Sequence, residues 1–376
     1  MKIYARHALL PDGWHSDCVI TIEDGRIAAI VPGHTGDVCA NVLTPGLLDK
    51  HQHGAYGFDA AQPDEEGCVR WLRALAQSGV TAILYSLGTD PAEETRRALT
   101  FVREAMQAQQ AGRLLGARIL GVHLEGPFIN PARKGAMVEK YIQPPSVQAF
   151  EELVGEAADI VKAVTLAPEM TGADALIRHL VSRGIRVQAG HSDADAAQAQ
   201  HAFDAGVTGT THTFNAMPPI SARCPGLSVQ AQLDERVYCE AICDLVHVDA
   251  RMIRLLLRMK GASKTALISD SVATAGLPDG RYKAGNQTVI VREKRNYTET
   301  GGIAGGYAQL DTGVRTLISL GVSAADAFAM ASAVPAAYLG LEKELGCIAP
   351  GARACLAAWD AQTHPVFSIC DGGMIS

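Results

Sequence analysis

The sequence predicts an α/β chain folded as a (β/α)8 barrel with a small β domain formed by both chain termini. Three observations lead there: eight apolar runs of strand length, longer helical stretches between them, and short β-like runs at the two ends. The eight runs are Gly46–His51, Thr81–Ser86, Ala117–His123, Ile160–Leu166, Arg186–Ala189, Gly206–Thr211, Val237–Ile242 and Thr265–Ile268. Eight such units favour a closed barrel over an open doubly wound sheet, whose nucleotide-binding versions carry a Gly-x-Gly-x-x-Gly turn after the first strand. No such turn follows this one. Between the runs, Glu65–Ser78, Pro91–Gln110 and Val248–Met259 have the apolar spacing of helices.

The ends read differently. Cys18–Ile22 and Ile27–Val31 are separated by turn signals at Asp24-Gly25 and Pro32-Gly33; Leu356–Trp359 and Val366–Ile369 are bounded by Pro350-Gly351 and Asp371–Gly373. Residues 1–43 and 345–376 are therefore assigned to one accessory β domain, and 44–344 to the barrel. The Gly301–Gly306 run is read as a loop, because no Lys-Ser/Thr pair follows it as in a phosphate-cradling loop. Phe328 and Met330 lie in an Ala-rich stretch that reads as a packed helix.

Composition excludes several classes. With 376 residues, 48% hydrophobic and 19% charged, the chain has ample material for a core and is far from a disordered composition. Its net charge of −7 lacks the positive field that non-specific nucleic-acid binding needs, so an anionic ligand requires a local pocket. Nine cysteines, an odd number with no Cys-x-x-Cys pair, read as reduced, mostly buried thiols. Tyr4, Arg6 and His7 interrupt any apolar signal core, and no run of 18 apolar residues occurs. A cytoplasmic protein with neither membrane nor nucleic-acid partner is expected.

In such barrels the chemistry sits at the C-terminal ends of the strands. There stand His51 and His53 after the first run, Glu125 after the third, His191 after the fifth, His212 after the sixth, Asp244 and His247 after the seventh, and Asp270 after the eighth. One histidine at a strand end is an ordinary structural residue; five, with carboxylates at two further ends, point to a metal site. Imidazole and carboxylate suit Zn foremost, and also Fe, Mn or Co. Three protein ligands leave a position for water, whose pKa a metal can lower towards ~7. A carboxylate not saturated by the metal can then take the water's proton. His123, two residues before Glu125, is read as packing behind the site or supporting a ligand rather than binding the metal itself.

These residues carry a family resemblance. His51-Gln52-His53-Gly54, after Pro45-Gly46-Leu47-Leu48-Asp49, resembles the opening signature of the amidohydrolase superfamily. The segments His123–Phe128, Ala167–Met170, Ala189–Ala194, Thr211–Pro218, His247–Asp249 and Ser269–Gly276 resemble those of N-acetylglucosamine-6-phosphate deacetylases, in the same order over nearly the whole chain. The resemblance implies Glu125, His191 and His212 as principal metal ligands, His51 and His53 as the pair holding a second ion in some members, and Asp270 as catalytic acid and base. It implies Asn215, Ala216, Arg223 and His247 as partners of the sugar phosphate, a homodimer or larger assembly, and a TIM-like barrel whose accessory domain, 1–43 with 345–376, is a β-sandwich.

Three departures surround the substrate rather than the metal. Met137 stands where the family has a histidine reaching the substrate, Leu245 replaces a glycine after Asp244, and Gly306 replaces a serine. Methionine offers no strong donor to an acyl oxygen. The expected reaction is hydrolysis of the N-acetyl group of N-acetylglucosamine 6-phosphate. The departures keep open the galactosamine isomer, another N-acyl substrate or a deaminase, and a sugar-phosphate binder with impaired catalysis.

Overall fold

A computed structural model describes residues 1–376. All eight predicted barrel runs form strands: Leu47–Gln52, Val80–Leu87, Arg118–Glu125, Val161–Leu166, Arg186–Ala189, Gly209–Thr210, Tyr238–Ile242 and Thr265–Ile268. They follow one another in chain order in a single eight-stranded sheet. The last strand returns to the first, since Asp270 N donates to His51 O at 3.0 Å and Gln52 bridges Ser271 in parallel. Every residue of Leu47–Gln52 and Val80–Leu87 is buried, as expected when helices cover one face of a parallel sheet and the barrel interior fills the other.

The helices have identifiable starts. Asp64 caps Glu65–Gln77 by accepting from Gly67 N at 2.7 Å, and Asp195 with Gln198 forms a reciprocal capping box on Ala196–Ala205. That second helix explains the one strand that is much shorter than predicted. Gly206 ends it in a left-handed conformation, φ 115°, so the sheet strand begins only at Gly209. Phe328 and Met330 are buried in the helix Ala324–Met330, and Gly301–Gly306 forms no helix or named strand.

Both chain ends enter one seven-stranded sheet. Its order is Gly373–Ile375, Pro365–Cys370, Leu356–Trp359, Val38–Pro45, Lys2–Leu10, Gly13–Glu23 and Arg26–Pro32. Leu356–Trp359 pairs antiparallel with Val38–Pro45, and a core of 16 buried residues drawn from both ends lies against these strands. The strand Val38–Pro45 leads through Gly46 directly into the first barrel strand, so the sheet hands the chain to the barrel without a linker. A third sheet is an addition to the predicted elements: Gly280–Ala284, Gln287–Arg292 and Arg295–Thr298 form an antiparallel meander between the eighth barrel strand and the helix Leu310–Ser319.

All nine cysteines are free thiols, six of them buried. No helix is long and apolar enough to cross a membrane.

Candidate metal centre and active site

Barrel closure brings the strand-end histidines and carboxylates to one point. The carboxylate of Glu125 lies at the centre, with one oxygen 2.9 Å from His212 Nε2 and 3.1 Å from His191 Nε2, and the other 3.1 Å from His53 Nε2. His51 Nε2 is 3.4 Å from Glu125 Oε1 and 3.3 Å from Asp270 Oδ1, and His53 Nε2 is 3.5 Å from the same aspartate oxygen. Two donor sets share Glu125: His51, His53, Glu125 and Asp270 on one side, Glu125, His191 and His212 on the other.

The backbone is bent to achieve this. His191, His212 and Asp270 have φ of 47°, 29° and 50°, in the left-handed region that costs side-chain-bearing residues free energy. The bends turn residues just past the strands in towards the barrel axis. Further contacts hold the rings: His191 Nδ1 lies 2.8 Å from Arg133 O, and His51 Nδ1 lies 3.0 Å from Glu240. Glu169, from the Ala167–Met170 segment, stays outside the cavity and ties loops together, accepting from Asn130 Nδ2, Ser192 Oγ and Asp193 N at 2.6–2.8 Å. His123 is fully buried between Ser86 and Thr165, at 3.0 and 2.8 Å, and burial holds its imidazole well below the usual range. It packs behind His51 rather than joining the donors, with ring centroids 4.6 Å apart.

The donor set fits a divalent cation. His51 and His53 face each other Nε2 to Nε2 at 3.0 Å, as do His191 and His212, and oxygen acceptors on Nδ1 of His51 and His191 hold the ring proton there and leave each Nε2 lone pair free for a cation. Electrostatics agree. Burial opposes charge on His51, yet Glu125, Asp270 and Glu240 hold its pKa well above the usual imidazole range. Burial likewise opposes ionisation of Glu125, but His51 and the hydrogen bonds from His191 and His212 hold it well below the usual carboxylate range. The field that draws a proton onto His51 is the field that draws a metal ion.

Above the donors opens a cavity of about 350 Å³, with Glu125, His53, His191, His212 and Asp270 at its base. Met137, Asn215, Ala216 and His247 line it, as does the hairpin tip Ala284–Gln287. His247 Nδ1 is held by Asp244 at 2.7 Å, which leaves Nε2 for a ligand. Arg223 is placed elsewhere: it lies in the exposed run 219–224 and is not among the lining residues, which include no Lys or Arg. The motif places Arg223 on the loop after the sixth barrel strand, and after Met217 that loop runs outward to the surface. The other departures are local. Leu245 is half-exposed with φ 60°, a conformation in which glycine is unstrained, and a Cβ at Gly306 would lie 2.1 Å from Ser269 O.

The family model described as "Amidohydrolase family" matches residues 42–375, and one described as the N-terminal domain of formimidoylglutamate deiminase HutF matches residues 1–38. The chain is 35% identical over 363 residues to the N-acetylgalactosamine-6-phosphate deacetylase of Escherichia coli O157:H7, covering 96% of this chain and 95% of that one. It is also 35% identical over 364 residues to the N-acetylglucosamine-6-phosphate deacetylase of Bacillus subtilis (strain 168), covering 94% and 92%. The chain belongs to the N-acetylglucosamine-6-phosphate deacetylase family of amidohydrolases. Solved structures agree with this amidohydrolase fold. A mutant Mycobacterium smegmatis deacetylase in complex with N-acetyl-D-glucosamine-6-phosphate superposes with a TM-score of 0.91 at 30% identity, covering 100% of this chain and 99% of that one. The Thermotoga maritima deacetylase superposes at 0.90 and 30%, with the same coverage.

One buried grouping beneath the site was not readable from the sequence. Lys50, Glu240 and Gln188 form a buried polar cluster beneath His51. A lysine beside the His-x-His pair is its only trace in the sequence.

Proposed function

We propose that the protein hydrolyses the N-acetyl group of an N-acetylamino-sugar 6-phosphate, with N-acetylglucosamine 6-phosphate first and the galactosamine isomer close behind. The observation that carries this reading is the convergence of four histidines, Glu125 and Asp270 beneath one cavity. Glu125, His191 and His212 would hold one divalent ion and His51 with His53 a second, Zn before Fe, Mn or Co. Such an ion supplies Lewis acidity towards water and towards the amide carbonyl.

The chain's own residues do the rest. Asp270 Oδ1 accepts a proton from the attacking water as its oxygen bonds to the carbonyl carbon, and then gives that proton to the amine nitrogen as the C–N bond breaks. Acetate and the amino sugar phosphate are the products. His247 Nε2, Asn215 and the backbone at Ala216 are the assigned partners of the sugar phosphate. Met137 contributes only apolar wall, so the acyl oxygen gains no hydrogen bond there. Arg223 stays in the proposal as a phosphate partner only if its loop moves or a second copy supplies it. A homodimer or larger assembly in the cytoplasm completes the reading.

The test is acetate release from N-acetylglucosamine 6-phosphate, its galactosamine isomer and both unphosphorylated sugars, with metal analysis of the same sample. Preference for the phosphorylated sugars is expected. Faster turnover of other N-acyl amines, or of nucleobases, would replace this substrate by one from the wider amidohydrolase chemistry.

A further inference from the structure

We propose that Glu240, held by Lys50, is a positioning residue that locks the two halves of the donor set together. Glu240 Oε2 accepts a hydrogen bond from the backbone N–H of His212 at 2.9 Å and lies 3.0 Å from His51 Nδ1. One carboxylate oxygen thus joins a histidine of each donor set. The other oxygen receives Lys50 Nζ, which also donates to Gln188 and lies 4.4 Å from the centre of the Tyr338 ring. The side chains of Lys50 and Glu240 are 2% and 1% exposed.

Each contact has a consequence for metal binding. A carboxylate on Nδ1 places the ring proton there, which leaves the Nε2 lone pair pointing at Glu125 and Asp270. The bond to His212 N anchors a residue whose backbone is strained at φ 29°, so its imidazole cannot relax away from Glu125 without losing a buried hydrogen bond. Lys50 compensates the second oxygen, because an unpaired carboxylate inside the barrel would turn towards any available cation and leave His51. Barrel interiors are ordinarily filled by branched apolar side chains, and a buried ion pair is a poor source of stability compared with them. Positioning explains the pair where stability does not.

The inference rests on the metal reading of the site, and its test separates the two. The full-length protein, stripped of metal, is titrated with Zn²⁺ against a chromophoric chelator, and the melting temperature of each metal-free sample is recorded. Glu240→Gln is expected to weaken Zn²⁺ binding by about 10- to 100-fold, the range for lost partners of metal-bound histidines. Lys50→Met alone leaves an unpaired carboxylate and lowers the melting temperature. The double variant Lys50→Met/Glu240→Gln is expected to regain the melting temperature while Zn²⁺ binding stays weak, and it carries the comparison if a single variant does not fold. Recovery of both properties in the double variant would make the pair purely structural and overturn the proposal, as would parental Zn²⁺ affinity in Glu240→Gln. Failure of the parent protein to bind Zn²⁺ would remove the metal reading, and this inference with it.

Discussion

At Asp270 the chain accepts a left-handed backbone, φ 50°, to place a carboxylate oxygen 3.3 Å from His51 Nε2 and 3.5 Å from His53 Nε2. A strained residue in a cavity, able to accept a proton and beside a metal site, has a specific use. Asp270→Asn keeps the shape and an oxygen donor but loses the base. Its acetate release is expected to fall by about 10²- to 10⁴-fold with metal content unchanged, the usual range for a general acid–base. Activity that persists in the variant would move the proton transfer to another group. Met137 tests the substrate side. It lines the cavity and offers no strong donor, so Met137→His adds one where an acyl oxygen can use it. An increase of about tenfold in kcat/KM for the preferred acetylated sugar phosphate is expected, the worth of one hydrogen bond of ~1–1.5 kcal/mol. An unchanged value would take residue 137 out of contact with the acyl group.

Among the elements, the meander Gly280–Thr298 lines the cavity with its hairpin tip. Its tip is pinned to the barrel: Gly285 N donates to Asp59, and Asn286 Nδ2 donates to Asp90 and Glu94, each at 3.1 Å. Burial raises the pKa of both Asp59 and Asp90, so the tip rests on carboxylates that are partly withdrawn from water. Asn286→Ala removes two of these bonds and is expected to raise KM more than it lowers kcat, with faster amide exchange at 284–288 and unchanged metal content. If KM and exchange both match the parent, the tip does not help enclose the substrate. This element also shows where sequence reading stops. The barrel strands announce themselves as unbroken apolar runs because both their faces are buried, whereas Gly280–Ala284 carries Arg281 and Lys283 and has no fully buried residue. The convergence of the candidate metal donors was legible for a related reason, since strand ends are fixed once the strands are found. The Lys50–Glu240 pair was not, because its members lie 190 residues apart and a lysine in a sequence suggests solvent until a closed barrel encloses it. Arg223 is the converse case: its motif was legible, but the outward course of its loop, which leaves it outside this chain's cavity, was not.

For the molecule as a whole, the question is whether the terminal sheet and the barrel stand or fall together. Trp359 sits at their junction, fully buried. Its Nε1 donates to Thr44 at 2.8 Å and its ring lies 5.1 Å from that of Phe328 on a barrel helix. A Cβ at Gly79, which has φ 87° and precedes the second barrel strand, would lie 2.5 Å from the indole, so barrel and sheet are fitted to each other there. Gly46 N also donates to Cys355 O at 2.9 Å, at the point where the sheet hands the chain to the barrel. With a sheet strand seating a large aromatic in the barrel core and another strand continuing from sheet into barrel, neither part has an independent boundary at which to melt. Unfolding is therefore expected as one transition, with far-UV and near-UV circular dichroism giving the same midpoint. Trp359→Ala is expected to destabilise the whole by about 3–5 kcal/mol, the cost of emptying a buried aromatic site. Zn²⁺ bound at the barrel mouth would raise the single midpoint, because an ion that binds only the folded state stabilises everything that unfolds with it. A sheet transition that stays at its own lower temperature while Zn²⁺ raises only the barrel's would show that Trp359 joins two separate folding units.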